Sequence, residues 1–186
     1  MTLAVTKMNA EQYFMLGEDP PGLRLELVYG KIVASPSPSY DHSYTDRQLS
    51  HILIGHIEDN DLGALVGDVD TIFDQFNVRR PDIIFIAKHR LHLIKGHGIP
   101  IIPDLCVEIL SPGSATTDQT EKFDLYASSG LQHYWIVDPK GHTFEAFKLT
   151  GKKYRRVGHG REKDVVTAPP FPKLKINLAR IWSPLQ

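Results

Sequence analysis

Two short apolar runs carry a carboxylate where an apolar side chain would be expected. Asp82 opens Ile83-Ile84-Phe85-Ile86, and Glu108 interrupts Leu105-Cys106-Val107-Glu108-Ile109-Leu110. Runs of this length, over 81–87 and 104–110, read as strands. A third acid, Glu26, lies between Leu25 and Leu27 in a stretch that alternates with period two, again the strand pattern. A carboxylate inside an apolar strand is costly unless it is paired, protonated or bound to a metal. Whatever the chain folds into must therefore bring a partner to these acids.

The remaining pattern supplies elements around them. Asn9 followed by Gln12 has the spacing of a helix cap, predicting a short helix over 10–16 that ends at Gly17. Glu18-Asp19-Pro20-Pro21-Gly22 is a turn, and Tyr29-Gly30 is a tight turn to a return strand over 31–34. Ser35-Pro36-Ser37-Pro38 stops that strand, because proline has no N–H for the ladder. From 39 to 60 the spacing becomes helical, with Leu49, Ile52, Leu53 and Ile57 on one stripe. Residues 63–76 read as a strand or hairpin. Asp118 and Glu121 mark a helix start, Phe123, Tyr126, Ala127 and Gly130 share a face, and Gly130 is the stop. Strands follow over 133–137, 142–149, 153–158 and 163–167, and a short tail, 171–186, is expected on the rim. This order predicts an α/β (α+β) fold, a mixed sheet flanked by helices.

The 186 residues, 41% of them hydrophobic, suffice for one domain with a sizeable core. No apolar run approaches the ~18 residues of a membrane span, and the first ten residues lack the pattern of a signal peptide. The lone Cys106 excludes an internal disulfide and suits a reducing, cytoplasmic setting; on a core strand it reads as a small hydrophobe. The net charge of −1 is low for a nucleic-acid binder, but basic residues cluster at 151–163 and 88–97. No Gly-x-Ser-x-Gly elbow, Walker loop or Gly-x-Gly-x-x-Gly is present, and the nine His have no zinc spacing.

Strand-borne carboxylates with a nearby lysine meet the needs of phosphodiester hydrolysis. Hard ions such as Mg²⁺ take oxygen ligands and keep several waters. A lysine can orient the attacking water or stabilise phosphoryl charge.

Several segments carry a resemblance: Leu25-Glu26-Leu27-Val28-x-Gly30, Arg80-Pro81-Asp82, Val107-Glu108-Ile109-Leu110-Ser111-Pro112, Glu121-Lys122-x-x-x-Tyr126-x-x-x-Gly130 and Tyr134-Trp135-Ile136-Val137-Asp138-Pro139. In this order they resemble the Uma-two family, grouped with the restriction-endonuclease-like PD-(D/E)XK nucleases. The resemblance runs from about residue 9 to about residue 178 of what reads as one domain over 1–186. It implies Asp82 and Glu108 as ligands of Mg²⁺ or Mn²⁺, and DNA as substrate. A lysine is expected two positions after Glu108, on the same strand face, and this chain has Leu110. The resemblance offers Lys122 on the next helix instead; an Asp118–Lys122 pair is the structural alternative. Glu26 is a candidate third acid and Ser111 a candidate partner of water or phosphate. His42 either supports the metal ligands or caps its helix. Arg79 and Arg80 are either phosphate contacts or ordinary surface residues. A homodimer suits a double-strand cut by two symmetric sites. A catalytically inactive nucleic-acid-binding or assembly module of the same fold, and a metal-dependent hydrolase of small phosphate esters, are the alternatives.

Overall fold

The computed structural model describes residues 7–111 and 117–185, with the side chains of 117–119 left out. Helix α1 (Ala10–Phe14) starts on the expected capping box, in which Asn9 and Gln12 each accept the other's backbone N–H at 2.9 Å. Strands β1 (Leu23–Val28) and β2 (Lys31–Pro36) form an antiparallel hairpin. Its two turn residues, Tyr29 and Gly30, both have positive φ (50° and 83°), the backbone twist that matches paired strands. Helix α2 (Tyr40–Asp59) follows, with Ser39 Oγ accepting the His42 N–H at 3.3 Å. Leu49, Leu53 and Ile57 are buried along it as the stripe predicts, and Ile52 is partly buried.

The stretch read as one strand or hairpin over 63–76 divides between two sheets. Strand β3 (Gly63–Val66) joins the larger sheet, whereas β4 (Thr71–Asp74) pairs with β5 (Asn77–Arg79) and, through it, with the β1–β2 hairpin. Then come β6 (Ile83–Ala87), β7 (Leu105–Ile109), α3 (Thr117–Ser128), β8 (His133–Asp138), β9 (Thr143–Thr150) and β10 (Lys153–Arg161). The larger sheet has the order β10-β9-β8-β7-β6-β3. Its β7 and β8 are parallel, linked by α3, and its other neighbours are antiparallel.

Alternation along β7 and β8 builds two cores. Val107, Ile109, Trp135 and Val137 face the α2 stripe, and Cys106 and Tyr134 face Leu125 and Tyr126 of α3. Each fully buried aliphatic side chain contributes about 1.5–3 kcal/mol, so both helices are held by their apolar faces.

The tail corrects the expectation of a rim segment. Strands β11 (Val165–Ala168) and β12 (Phe171–Asn177) pair, and Phe171, Ile176, Leu178, Ile181 and Trp182 enter the α2-side core. The 151–163 cluster becomes a turn and the outermost strand of the larger sheet, three strands from β7. In the 88–97 cluster Lys88 pairs with Asp61, and Arg90 pairs with Asp104 at 2.9 Å. No helix among the described residues is long and apolar enough to cross a membrane.

Candidate active site

The ladder between β6 and β7 pairs Ile83 with Val107. Carried one residue further, that antiparallel register sets Asp82, just before β6, opposite Glu108. Asp82 is fixed there because its Oδ2 accepts the Ile109 N–H at 2.7 Å. Like charges facing each other across a ladder repel, so both acids need partners.

Glu108 takes its partners from α3. Lys122 Nζ donates to Oε2 and the Tyr126 hydroxyl to Oε1, each at 2.7 Å. The two donors lie four residues apart on one helix face, so both reach the same carboxylate. Glu108 and Lys122 are 7% and 8% exposed, and Tyr126 is fully buried, stacked on Phe73 at 4.5 Å between ring centroids. Burial pushes the Glu108 carboxyl up to about 7, with Asp82's charge adding to the rise and Lys122 opposing it. The lysine that reaches Glu108 is thus Lys122 of α3, with Leu110 at the strand position two residues on. The Asp118 side chain, its other proposed partner, lies outside the described residues.

Asp82 takes its partners from α2 and β1. His42 Nε2 lies 3.2 Å from Asp82 Oδ2, and Arg24 lies 3.8 Å from Oδ1. Burial works against a charge on His42, yet the hydrogen bond and charge of Asp82 prevail and hold its pKa above the ordinary value. The helix cap is Ser39, and the His42 ring turns to Asp82.

Glu26 is held by its neighbours. Its Oε1 accepts the Arg80 backbone N–H at 2.7 Å and its Oε2 accepts from Arg79 at 3.2 Å. The expectation that Arg79 is a surface residue or a phosphate contact is corrected here. It is 2% exposed, with Glu121 of α3 on its other side at 4.0 Å. Arg80 is held by Asp70, at 2.6 Å, and by Asp19.

These residues surround one cavity of about 660 Å³. Asp82, Glu108, Lys122, Glu26 and Ser111, all singled out in the sequence, line it together with Arg24, His42 and Arg80. The end of β2 and the Ser-Pro stretch after it, Ser35 to Ser39, line it as well. Sequence reasoning missed Arg24 and the Tyr126 hydroxyl; the i, i+4 spacing of Lys122 and Tyr126 was the available signal.

Among the described residues no group of three or more His, Cys, Asp or Glu is set to hold a metal ion. The site does fit a hard divalent ion held by few protein ligands. Asp82 and Glu108 supply oxygens from facing positions, burial and then the charge of Asp82 raise Glu108, and the cavity leaves room for water and phosphate. Mg²⁺ is typically bound in this manner, by one or two carboxylates rather than by an all-protein cage.

A mixed sheet flanked by helices, with this strand order, places the chain in the restriction-endonuclease-like fold class. It belongs to the Uma2 family, described as "Putative restriction endonuclease", whose model matches residues 10–179. The fold is similar to that of a crystal structure described as a "putative nuclease belonging to DUF820" from Anabaena variabilis ATCC 29413. That likeness has a TM-score of 0.77 at 21% identity, over 94% of this chain and 97% of the other. No curated protein matches the chain.

Proposed function

We propose that the protein is a divalent-metal-dependent endonuclease that hydrolyses DNA phosphodiester bonds. The observation that carries this reading is the convergence of Asp82 and Glu108 with Lys122 on one cavity, Lys122 lying 2.7 Å from Glu108. Asp82 and Glu108 would hold Mg²⁺ or Mn²⁺. When bound, such an ion polarises the phosphate and lowers the pKa of water.

The chain's own groups do the rest. Lys122 and Tyr126 hold Glu108 in one orientation and favour its charged form. Lys122 lines the cavity, so its ammonium stands where a water or a phosphoryl oxygen would be positioned. His42 and the Ile109 N–H fix the Asp82 carboxylate. Arg24, paired with Asp68 and 3.8 Å from Asp82, places a guanidinium on the cavity wall where it can meet a phosphate, while Arg80 is engaged by Asp70 and Asp19. Ser111 adds a hydroxyl at the end of β7. A second reading, hydrolysis of a small phosphate ester, is favoured by the cavity volume, which falls in the range of small-molecule sites.

The test incubates supercoiled plasmid with wild type and Lys122→Ala in Mn²⁺ and then Mg²⁺. Nicking by wild type that is lost in a folded, metal-binding variant supports the proposal. Absence of nicking, with turnover of nucleotides, moves the assignment to the second reading.

A further inference from the structure

A second, smaller cavity of about 310 Å³ opens beside the first. Arg24, Pro38, His42 and Asp82 line both, so Asp82 stands at the junction. One wall of the smaller cavity is α2, where Ser43, Arg47 and Ser50 follow i, i+4, i+7 spacing and share a helix face. Asp46 lies on the same helix, one turn beyond His42. The facing wall is Gly67 and Asp68. Gly67 has no room for a side chain, because a Cβ there would meet the Asp82 carbonyl oxygen at 2.3 Å.

The lining is rich in acceptors. Asp46 Oδ1 accepts from Ser50 Oγ at 3.2 Å, and its other oxygen accepts no hydrogen bond among the described residues. Asp68 is engaged by Arg24 at 2.9 Å. Burial, and then the charge of Asp82, push the Asp46 carboxyl up. Arg24 engages two of the three acids that line the cavity, which leaves Asp46 as the acceptor for a donor on the edge of one flat ring.

We propose that this side cavity receives the base of the nucleotide beside the cut phosphodiester, and that Asp46 selects a base bearing an exocyclic amino group. This rests on the nucleic-acid reading of the main cavity. A carboxylate accepts from the N4 amino group of cytosine, whereas thymine presents the O4 acceptor there and leaves the carboxylate unpaired. Arg47 is exposed at the rim, where its guanidinium can stack on the ring. One well-placed pair of this kind discriminates by roughly five- to 150-fold.

The experiment measures binding, so it does not depend on turnover. Fluorescein-labelled single-stranded hexadeoxynucleotides, thymine throughout or with one cytosine at each position in turn, are titrated by anisotropy in EDTA. Wild type is expected to bind at least fivefold more tightly when cytosine occupies one particular position. Asp46→Ala should bind all of them equally, and Asp46→Asn should shift the preference toward thymine. Circular dichroism checks that each variant is folded. Equal binding of every probe by wild type, no binding at all, or a preference that survives Asp46→Ala overturns the inference. A base preference without plasmid nicking would instead leave the side cavity standing and reject the nuclease.

Discussion

At Glu108 the folded chain retains a proton that a free carboxyl would release, because burial raises its pKa from 4.5 to about 7. Between those values the native state binds more protons than the unfolded state. The change of unfolding free energy with pH, 2.303RT times the unfolded-minus-native proton difference, is therefore negative. This contribution is fully present below the ordinary carboxylate value, is lost as pH rises toward 7, and changes no further above it. Urea unfolding from pH 5 to 8 should show the decline in wild type, and Glu108→Gln should make it shallower, leaving the part that His42 and Asp46, also raised, contribute. On the proposed function, millimolar Mg²⁺ makes it shallower as well, by favouring the ionised carboxylate. Tyr126→Phe leaves Glu108 Oε1 without its donor and should cost about 1–3 kcal/mol. In a double-mutant cycle that cost should shrink on the Glu108→Gln background, whereas a loss from packing alone would be the same on both.

At the scale of elements, two helices divide the work: α3 holds Glu108, while α2 holds Asp82 through His42 and offers Asp46 to the side cavity. The start of α2 rests on one side-chain bond of 3.3 Å from Ser39. Ser39→Ala should lower stability by about 0.5–1 kcal/mol, read as a lower urea midpoint with an unchanged slope. Elements of this local kind were legible in the sequence. The capping box at Asn9, the tight turn at Tyr29-Gly30 and the stripe of Leu49, Leu53 and Ile57 depend on neighbours in the chain. Asp82 and Glu108 were legible for another reason, since a charge in an apolar strand needs a partner wherever it ends up. Partners distant in sequence were not legible. Nothing near Arg79 announces that Glu26, far away on β1, will draw it into the interior, and nothing in 63–76 says that β3 and β4 join different sheets.

The whole molecule closes on its C-terminal segment, whose place is set by the α2-side core it packs against, far from it along the chain. Leu178, Ile181 and Trp182 fill the same core as the α2 stripe, with Trp182 Nε1 donating to the Glu162 carbonyl at 2.6 Å. Deleting 178–186 removes three large side chains from that core, a loss of several kcal/mol at about 1.5–3 kcal/mol each. The expected result is a melting temperature lower by many degrees in a thermal scan, with a change of a degree or two counting against this account. The Ile109 N–H bears on the molecule in another way. Its hydrogen goes to the carboxylate of Asp82 rather than to a neighbouring strand, so its exchange with deuterated solvent is governed by the site. In Asp82→Ala that single amide should trade its proton sooner than its β7 neighbours, and in a filled site later, which makes it a resident probe of whether the cavity is assembled.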